Sequence, residues 1–323
     1  MPKEYVHFQI ALQSAHLPQN GRLGADARNH VPYLLLGAVF HDVLFYLERP
    51  WAGEPKPILR LPHRLHGGGG HDPYDLLRIQ AAHATETRAP QARALLAGMA
   101  SHIGADTAMH PLIHYLCGNY YAEPLAVERH RFLESCLDLS MAGSRTELGR
   151  YALAGLLRQT DPLTHCATKG LADLIRCREA DVCNALQRAW TIFRRMNSFS
   201  LSRAGSLAAQ LRPRLPRKLQ VLRDILALAI PPRSMVLQET ATLSGPLRYA
   251  HPVTGTPETV TFHALQAQAR QNTLHLWHQL EPLAFGEAAP DSLVGPGPGL
   301  DSGLPGLDMQ HAVHFAQPRF PAV

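Results

Sequence analysis

At 323 residues, 46% hydrophobic and 18% charged, the chain carries ample apolar material for a sizeable core, as one large domain or two. A formal charge of +5, from 31 Lys and Arg against 26 Asp and Glu, suits attraction of anions such as phosphate groups without indicating a nucleic-acid binder. Five cysteines, an odd number with no CxxC pair, exclude a disulfide framework and a thiolate zinc site, and a reducing compartment fits them. The 19 histidines are the most unusual feature of the composition.

The opening MPKEYVHFQIALQSAH lacks the basic start and continuous apolar run of a secretory signal, and no apolar stretch approaches the length of a membrane span. A soluble cytoplasmic protein is the expectation. Residues 5–16 are predicted as a first helix, bearing His7. Asn29 to Pro32 supplies a turn, and Pro32 suits the first position of a second helix, PYLLLGAVFHDVLFYLE. That helix is apolar almost all round and so predicts burial. His41 and Asp42 sit inside it; a buried carboxylate is costly unless paired with a His or Arg or bound to a metal.

Residues 50–73 carry Pro50, Pro55, Pro57 and Pro62, then His66, four glycines and His71. The glycine run predicts a mobile loop, and without a GK[ST] ending it is no phosphate-binding loop. His66 and His71 are either metal-ligand candidates or solvated loop histidines. Helices are predicted over 74–88 and 91–114, the second with an apolar stripe of Leu95, Leu96, Met99 and Ile103. Pro111 directly after His110 predicts a kink or a helix end there. A helix over 125–142 bears His130 and Glu134, and further amphipathic helices follow over 145–158 and 168–197.

Residues 203–230 are basic and apolar with two internal prolines, which reads either as a helix face packed on the core or as a membrane-surface segment. A turn-rich strand pair or loop is expected around Pro252–Gly255, then a last helix from Phe262. After Glu287 the sequence AAPDSLVGPGPGLDSGLPGLD is rich in Pro and Gly without period, which predicts a helical domain over 1–287 and a disordered tail over 288–323. The fold class is all-α, a multi-helix bundle with a central multinuclear metal site.

That metal site is argued from spacing. His102, Asp106 and His110 recur every fourth residue, and His130 and Glu134 repeat the interval. Residues four apart on a helix lie almost above one another, drifting about 40° per step. Neutral imidazole and carboxylate are ligands that Zn²⁺ accepts. Two such sets in apolar helical sequence favour a metal centre over histidines aligned by chance.

Taken together, YVHFQIAL, GAVFHDVLFY, LHGGGGHDP, SHIGADTAMHP and RHRFLESCLD resemble the zinc-dependent phospholipase C family, whose relatives include fungal single-strand-specific zinc nucleases and a lipid-anchor-cleaving phospholipase D. The likeness spans roughly residues 5–140, and YAHPVTG at 249–255 fits the later part of bacterial members. The resemblance implies a cluster of two or three zinc ions inside a helical bundle. His102 and Asp106 would join Asp42 and His66 around one zinc, His110, His130 and Glu134 would hold a second, and His7 would contribute to a third, with Asp106 bridging.

Asp42, Asp106 and Glu134 would offset the metal charge. Two metals roughly 3.5–4 Å apart can activate a water and clamp a phosphate, with Asp42 as general base. The chain departs from the secreted members in three places. It opens Met1-Pro2 where they use an N-terminal Trp on the third zinc. Its gap from Asp106 to His110 is shorter by two residues, with His114 as a substitute ligand, and His71 competes with His66.

The expected activity is zinc-dependent phosphodiester hydrolysis, phospholipase C-like, releasing diacylglycerol from a phospholipid, with transient membrane-surface contact. A nuclease or other phosphodiesterase on the same cluster is the alternative, for which Tyr33, Phe40, Phe45 and Tyr120 are aromatics available for base stacking. A non-catalytic metal- or lipid-binding protein, or a helical scaffold with closed zinc coordination, are the others.

Overall fold

The computed structural model describes residues 3–47, 55–120, 122–123 and 125–316. Met1-Pro2, Glu48 at the end of the second expected helix, Pro50 and the tail beyond 316 lie outside the described residues. The fold is all-α, with one small two-stranded sheet among the described residues. No helix among the described residues is long and apolar enough to cross a membrane.

The chain opens with α1 (Glu4–Ala15), α2 (Gly21–Asn29) and α3 (Val31–Gly37), with Pro32 in the first turn of α3, where no N–H donor is needed. The helix expected from Pro32 to Glu48 is divided instead. It becomes α3, the one-turn α4 (Phe40–Val43) and a 3-10 turn, Leu44–Leu47. The break lies at a close backbone crossing: a Cβ on Gly37 would stand 2.2 Å from Leu95 O, and one on Gly98 2.1 Å from Leu34 O. Past the break Asp42 N–H bonds to Val39 O at 3.2 Å, so Ala38 O leaves the helical ladder.

Next come α5 (Lys56–Leu65), inside the Pro-rich stretch, and a single 3-10 turn, Gly68–Gly70, where the glycine run predicts a mobile loop. Then follow α6 (Tyr74–Thr87), α7 (Pro90–Cys117) and α8 (Ala126–Ala142). α7 continues through Pro111, as the helix predicted over 91–114 requires, so the alternative of a helix end at His110 is not realised. Proline leaves the carbonyl four residues back without its helical N–H. That carbonyl, Thr107 O, is met closely by Gly303, where a Cβ would lie 2.8 Å away.

The two helices expected over 145–158 and 168–197 are four: α9 (Arg145–Arg150), α10 (Leu153–Gln159), α11 (Thr168–Ile175) and α12 (Glu179–Leu201). Arg176, in the left-handed region, ends α11. Pro213 and Pro216 separate α13 (Arg203–Leu211) from α14 (Gln220–Leu226), and α15 (Arg233–Thr240) follows. Around the expected turn, β1 (Leu247–Ala250) pairs antiparallel with β2 (Pro257–Val260), Tyr249 opposite Glu258. α16 (Phe262–Ala284) is capped by the Thr261 hydroxyl, which accepts Ala264 N–H at 3.0 Å.

α7 is the axis of the bundle, and α1, α2, α3, α6, α8 and α16 all pack on it. Wholly buried Trp277 of α16 donates its Nε1–H to Ala97 O of α7 at 2.8 Å. The N-terminus of α1 has no side-chain cap of its own; Asp138 of α8 accepts Tyr5 N–H and Val6 N–H, each at 3.0 Å. This fastens the helix that carries His7 to the helix that carries His130 and Glu134.

The segment after Glu287, expected as a disordered tail beyond a domain ending there, is a folded strap through residue 316. Leu293 and Leu300 belong to the same core as α7 and α16. Polar contacts tie the strap down along its length. Arg78 donates to Leu293 O at 3.0 and 2.9 Å, Gly297 N–H to Asp72 at 2.8 Å, and Leu300 N–H to His66 O at 3.0 Å. Asp308 accepts Gly69 N–H at 3.0 Å, and His251 donates Nε2–H to Ser302 O at 2.9 Å. Composition reports the lack of a periodic element, which is correct here, but not whether a non-periodic chain finds partners.

Candidate metal centre

Five separate pieces of chain supply the site. α1 brings His7, α4 brings Asp42, and His66 caps the C-terminus of α5. α7 brings His102, Asp106 and His110 on one stripe, and α8 brings His130 and Glu134. All eight side chains are buried. Asp106 lies at the junction: its Oδ2 is 3.0 Å from His102 Nε2, and its Oδ1 is 3.4 Å from His7 Nε2 and 3.5 Å from His110 Nε2. On one flank Asp42 Oδ1 is 3.3 Å from His66 Nε2 and 3.6 Å from His102 Nε2. On the other, Glu134 Oε1 is 2.8 Å from His130 Nε2 and 3.8 Å from His110 Nε2.

The ring orientations are set from outside the cluster. A carbonyl oxygen only accepts, so the nitrogen facing it carries the proton. His66 Nδ1–H donates to Pro62 O at 2.7 Å, His102 Nδ1–H to Ala38 O at 2.8 Å and His110 Nδ1–H to Leu300 O at 3.2 Å. In the neutral ring, each Nε2 then points a lone pair into the cluster. There it meets carboxylate oxygens, which are also acceptors. His66 Nε2, His102 Nε2, His110 Nε2, Asp42 Oδ1 and both Asp106 oxygens are buried without a hydrogen-bond partner.

Buried lone pairs facing one another are costly unless a cation stands between them. The donor set, imidazole and carboxylate, is the one zinc accepts. Three groups have ligand atoms within 4.8 Å of one another: His7, His102 and Asp106; Asp42, His66 and His102; His110, His130 and Glu134.

The electrostatics point the same way. Burial pushes the His102 imidazole down, yet Asp106 and Asp42 raise it to about 8. Burial acts likewise on His110, which Asp106, Asp301 and Glu134 lift to about 9. Burial pushes the Asp106 carboxyl up, but His102, His110 and His7 hold it well below the usual carboxylate range. His7, by contrast, is pushed down to about 3 by burial and by His102. Burial likewise pushes His130 well below its ordinary value. Positive charge is favoured where His102 and His110 face Asp106, and a divalent ion supplies it at that place.

The remaining candidates divide by position. His71 is exposed, whereas His66 faces Asp42. His114 lies one turn beyond His110, and its ring packs 4.8 Å from that of His130. Phe45 packs on His66, at 5.0 Å between ring centroids, and Tyr120 on His130, at 5.6 Å. Tyr33 sits against His165 and Phe40 against Trp190, away from the cluster.

Two further residues of the site are not among the ligands expected from the sequence. His41, fully buried with neither ring nitrogen partnered, stacks on His102 at 4.6 Å. Asp301, from the strap, has Oδ1 3.1 Å from His110 Nδ1 and 3.5 Å from His114 Nε2, a fourth group with ligand-like spacing. His41 was visible beside Asp42; nothing in the Pro- and Gly-rich segment marks Asp301.

A family model described as zinc dependent phospholipase C matches residues 6–178. The matched span runs from α1 through α11, so it includes all eight expected ligands and leaves out Asp301. No curated protein and no solved structure matches the chain.

Proposed function

The chain belongs to the zinc-dependent phospholipase C family, and from that premise we propose that it is a phosphodiester hydrolase acting on the head group of a phospholipid, with diacylglycerol as the lipid product. The carrying observation is Asp106, a fully buried carboxylate within 3.5 Å of three imidazole Nε2 atoms and with no hydrogen-bond partner. In this reading Asp42, His66, His102 and Asp106 hold one zinc ion, His110, His130 and Glu134 a second, and His7 with Asp106 a third.

Bound zinc would supply Lewis acidity for the phosphate and a water of lowered pKa. The chain's own residues orient and exclude. Pro62 O, Ala38 O and Leu300 O hold three imidazoles in the ligand tautomer. Asp42 is the proposed proton acceptor. Burial raises its carboxyl, but His102 and His66 bring it below its ordinary value, so it is ionised at neutral pH and able to take a proton.

Phe45 and Tyr120 beside His66 and His130 would also suit a stacked base, which keeps a nuclease as the second reading. The test is metal content per chain after purification without added metal, followed by parallel assays on phosphatidylcholine, a soluble chromogenic phosphodiester and single-stranded DNA. Diacylglycerol release with two or three zinc ions supports the proposal. Cleavage of DNA alone replaces the substrate, and full metal occupancy with no hydrolysis would leave a binding protein.

A further inference from the structure

From Arg203 to Leu222 the chain contains no acidic residue. The segment consists of α13, two 3-10 turns (Arg212–Arg214 and Arg217–Leu219) and the start of α14. Its inner side is fixed to α8, two residues from His130. Arg212 lies over the Phe132 ring at 3.7 Å with its Nε 3.3 Å from Glu128, and Arg223 Nε is 2.7 Å from the same carboxylate. Gly205 and Ala209 complete this buried side.

The outer side is different. Arg203, Leu207 and Leu211 lie four residues apart, hence on one stripe of α13, and all three are exposed. Arg214, Arg217, Lys218, Leu219, Val221 and Leu222 continue the exposed side. Leu207 is 57% and Val221 60% exposed. Single exposed leucines need no explanation. Here, however, five of the nine large apolar side chains exposed among the described residues fall between Leu207 and Leu222. They are interleaved with Arg203, Arg214, Arg217 and Lys218, none of which has an ion-pair partner among the described residues.

We infer that this outer face of Arg203–Leu222 docks the protein on an anionic lipid bilayer. Unpaired cations match phosphate head groups, and leucine and valine side chains between them reach the acyl boundary. A second copy of the chain is a poorer occupant, since a two-fold contact would set four unpaired cations against four. The inference deepens the phospholipid reading and rests on it for its purpose, because a lipid-cleaving site must be brought to a bilayer. Its attachment to α8 links the docking face to a helix of the metal centre.

The test uses the full chain and vesicle flotation, with phosphatidylcholine vesicles prepared with and without phosphatidylglycerol. Binding is expected to the anionic vesicles and to weaken with salt. Arg214→Gln with Arg217→Gln should weaken it roughly 30-fold. Leu207→Ser with Val221→Ser should weaken it at low and high salt alike. Hydrolysis of a soluble phosphodiester should be unchanged in both variants. Binding without hydrolysis of any phospholipid would remove the substrate reading and leave the docking face standing. Equal binding of wild type and both variants would overturn the docking inference. So would a wild-type dimer abolished by the Leu207 and Val221 changes in the absence of lipid.

Discussion

Asp301 Oδ1 lies 3.1 Å from His110 Nδ1, so a carboxylate from the C-terminal strap stands behind an imidazole whose other nitrogen faces Asp106 and Glu134. A carboxylate behind a metal-binding histidine fixes the tautomer and raises the basicity of the ligand nitrogen. Asp301→Asn is therefore expected to weaken zinc binding roughly 10–100-fold, read by competition with a chelator. Unchanged affinity in a normally folded variant would remove Asp301 from the centre.

Asp106→Asn should lose metal and hydrolysis together, because an amide offers one acceptor where two oxygens face three imidazoles. His16→Ala should change neither. His16 is exposed, and its ring bonds to Leu12 O of the adjoining helix at 2.7 Å. Full metal content and activity in the Asp106 variant would sink the ligand assignment.

The metal-free protein should lose stability as pH rises. His102 and His110 have folded pKa values of about 8 and 9, above the ordinary 6.5. Their stabilising contribution is fully present below about pH 6.5. It is lost as pH rises through about 8 and then about 9. A melting temperature of the metal-free protein that is flat or rising across that window would contradict this. Zinc must displace these protons and the one that burial, which pushes Glu134 up to about 7, keeps on part of that carboxyl. Calorimetric titration near pH 7 in buffers of differing ionisation heat should therefore show between about two and three protons released per chain.

Asp138→Ala leaves Tyr5 N–H without its acceptor at the buried start of α1, while Val6 N–H keeps only Lys3 O, at 3.2 Å. An unsatisfied buried donor costs about 1–3 kcal/mol, so the denaturation midpoint should fall. Since α1 carries His7, zinc stoichiometry should fall by one ion before activity disappears. A midpoint equal to that of wild type would show that the cap contributes nothing.

Ending the chain after Glu287 should cost both stability and metal. The truncation removes Leu293 and Leu300 from the core, Leu300 O from His110 and Leu300 N–H from His66 O. Metal uptake equal to that of the full chain would show the strap to be dispensable.

The ladder of His102, Asp106 and His110, and the pair His130 and Glu134, are legible in the sequence because a helix turns at a fixed rate. Spacing of four residues is a statement about direction, and it needs no knowledge of neighbours. The apolar stripe of α7 and the all-α class follow from the same periodicity. Asp42 and His66 stand out as candidates by burial and position, but their grouping with the ladder, and the role of His7, rest on resemblance to a family, since none lies at a diagnostic spacing from it.

Other features depend on where distant pieces of chain meet, and no local pattern encodes that. The break at Ala38 lies where Gly37 and Gly98 let two backbones touch, and it gives His102 the carbonyl that orients its ring. His66 rather than His71 faces Asp42 because a folded strap seats the glycine turn. Asp301 reaches His110 from a segment whose composition predicts disorder. Local sequence thus determined which side chains share a helix face; tertiary packing decided which faces converge, which nitrogen of each ring points inward, and what closes over them. The reason is physical. Helical periodicity is a property of neighbouring residues, whereas buried lone pairs acquire their partners only when separate elements pack.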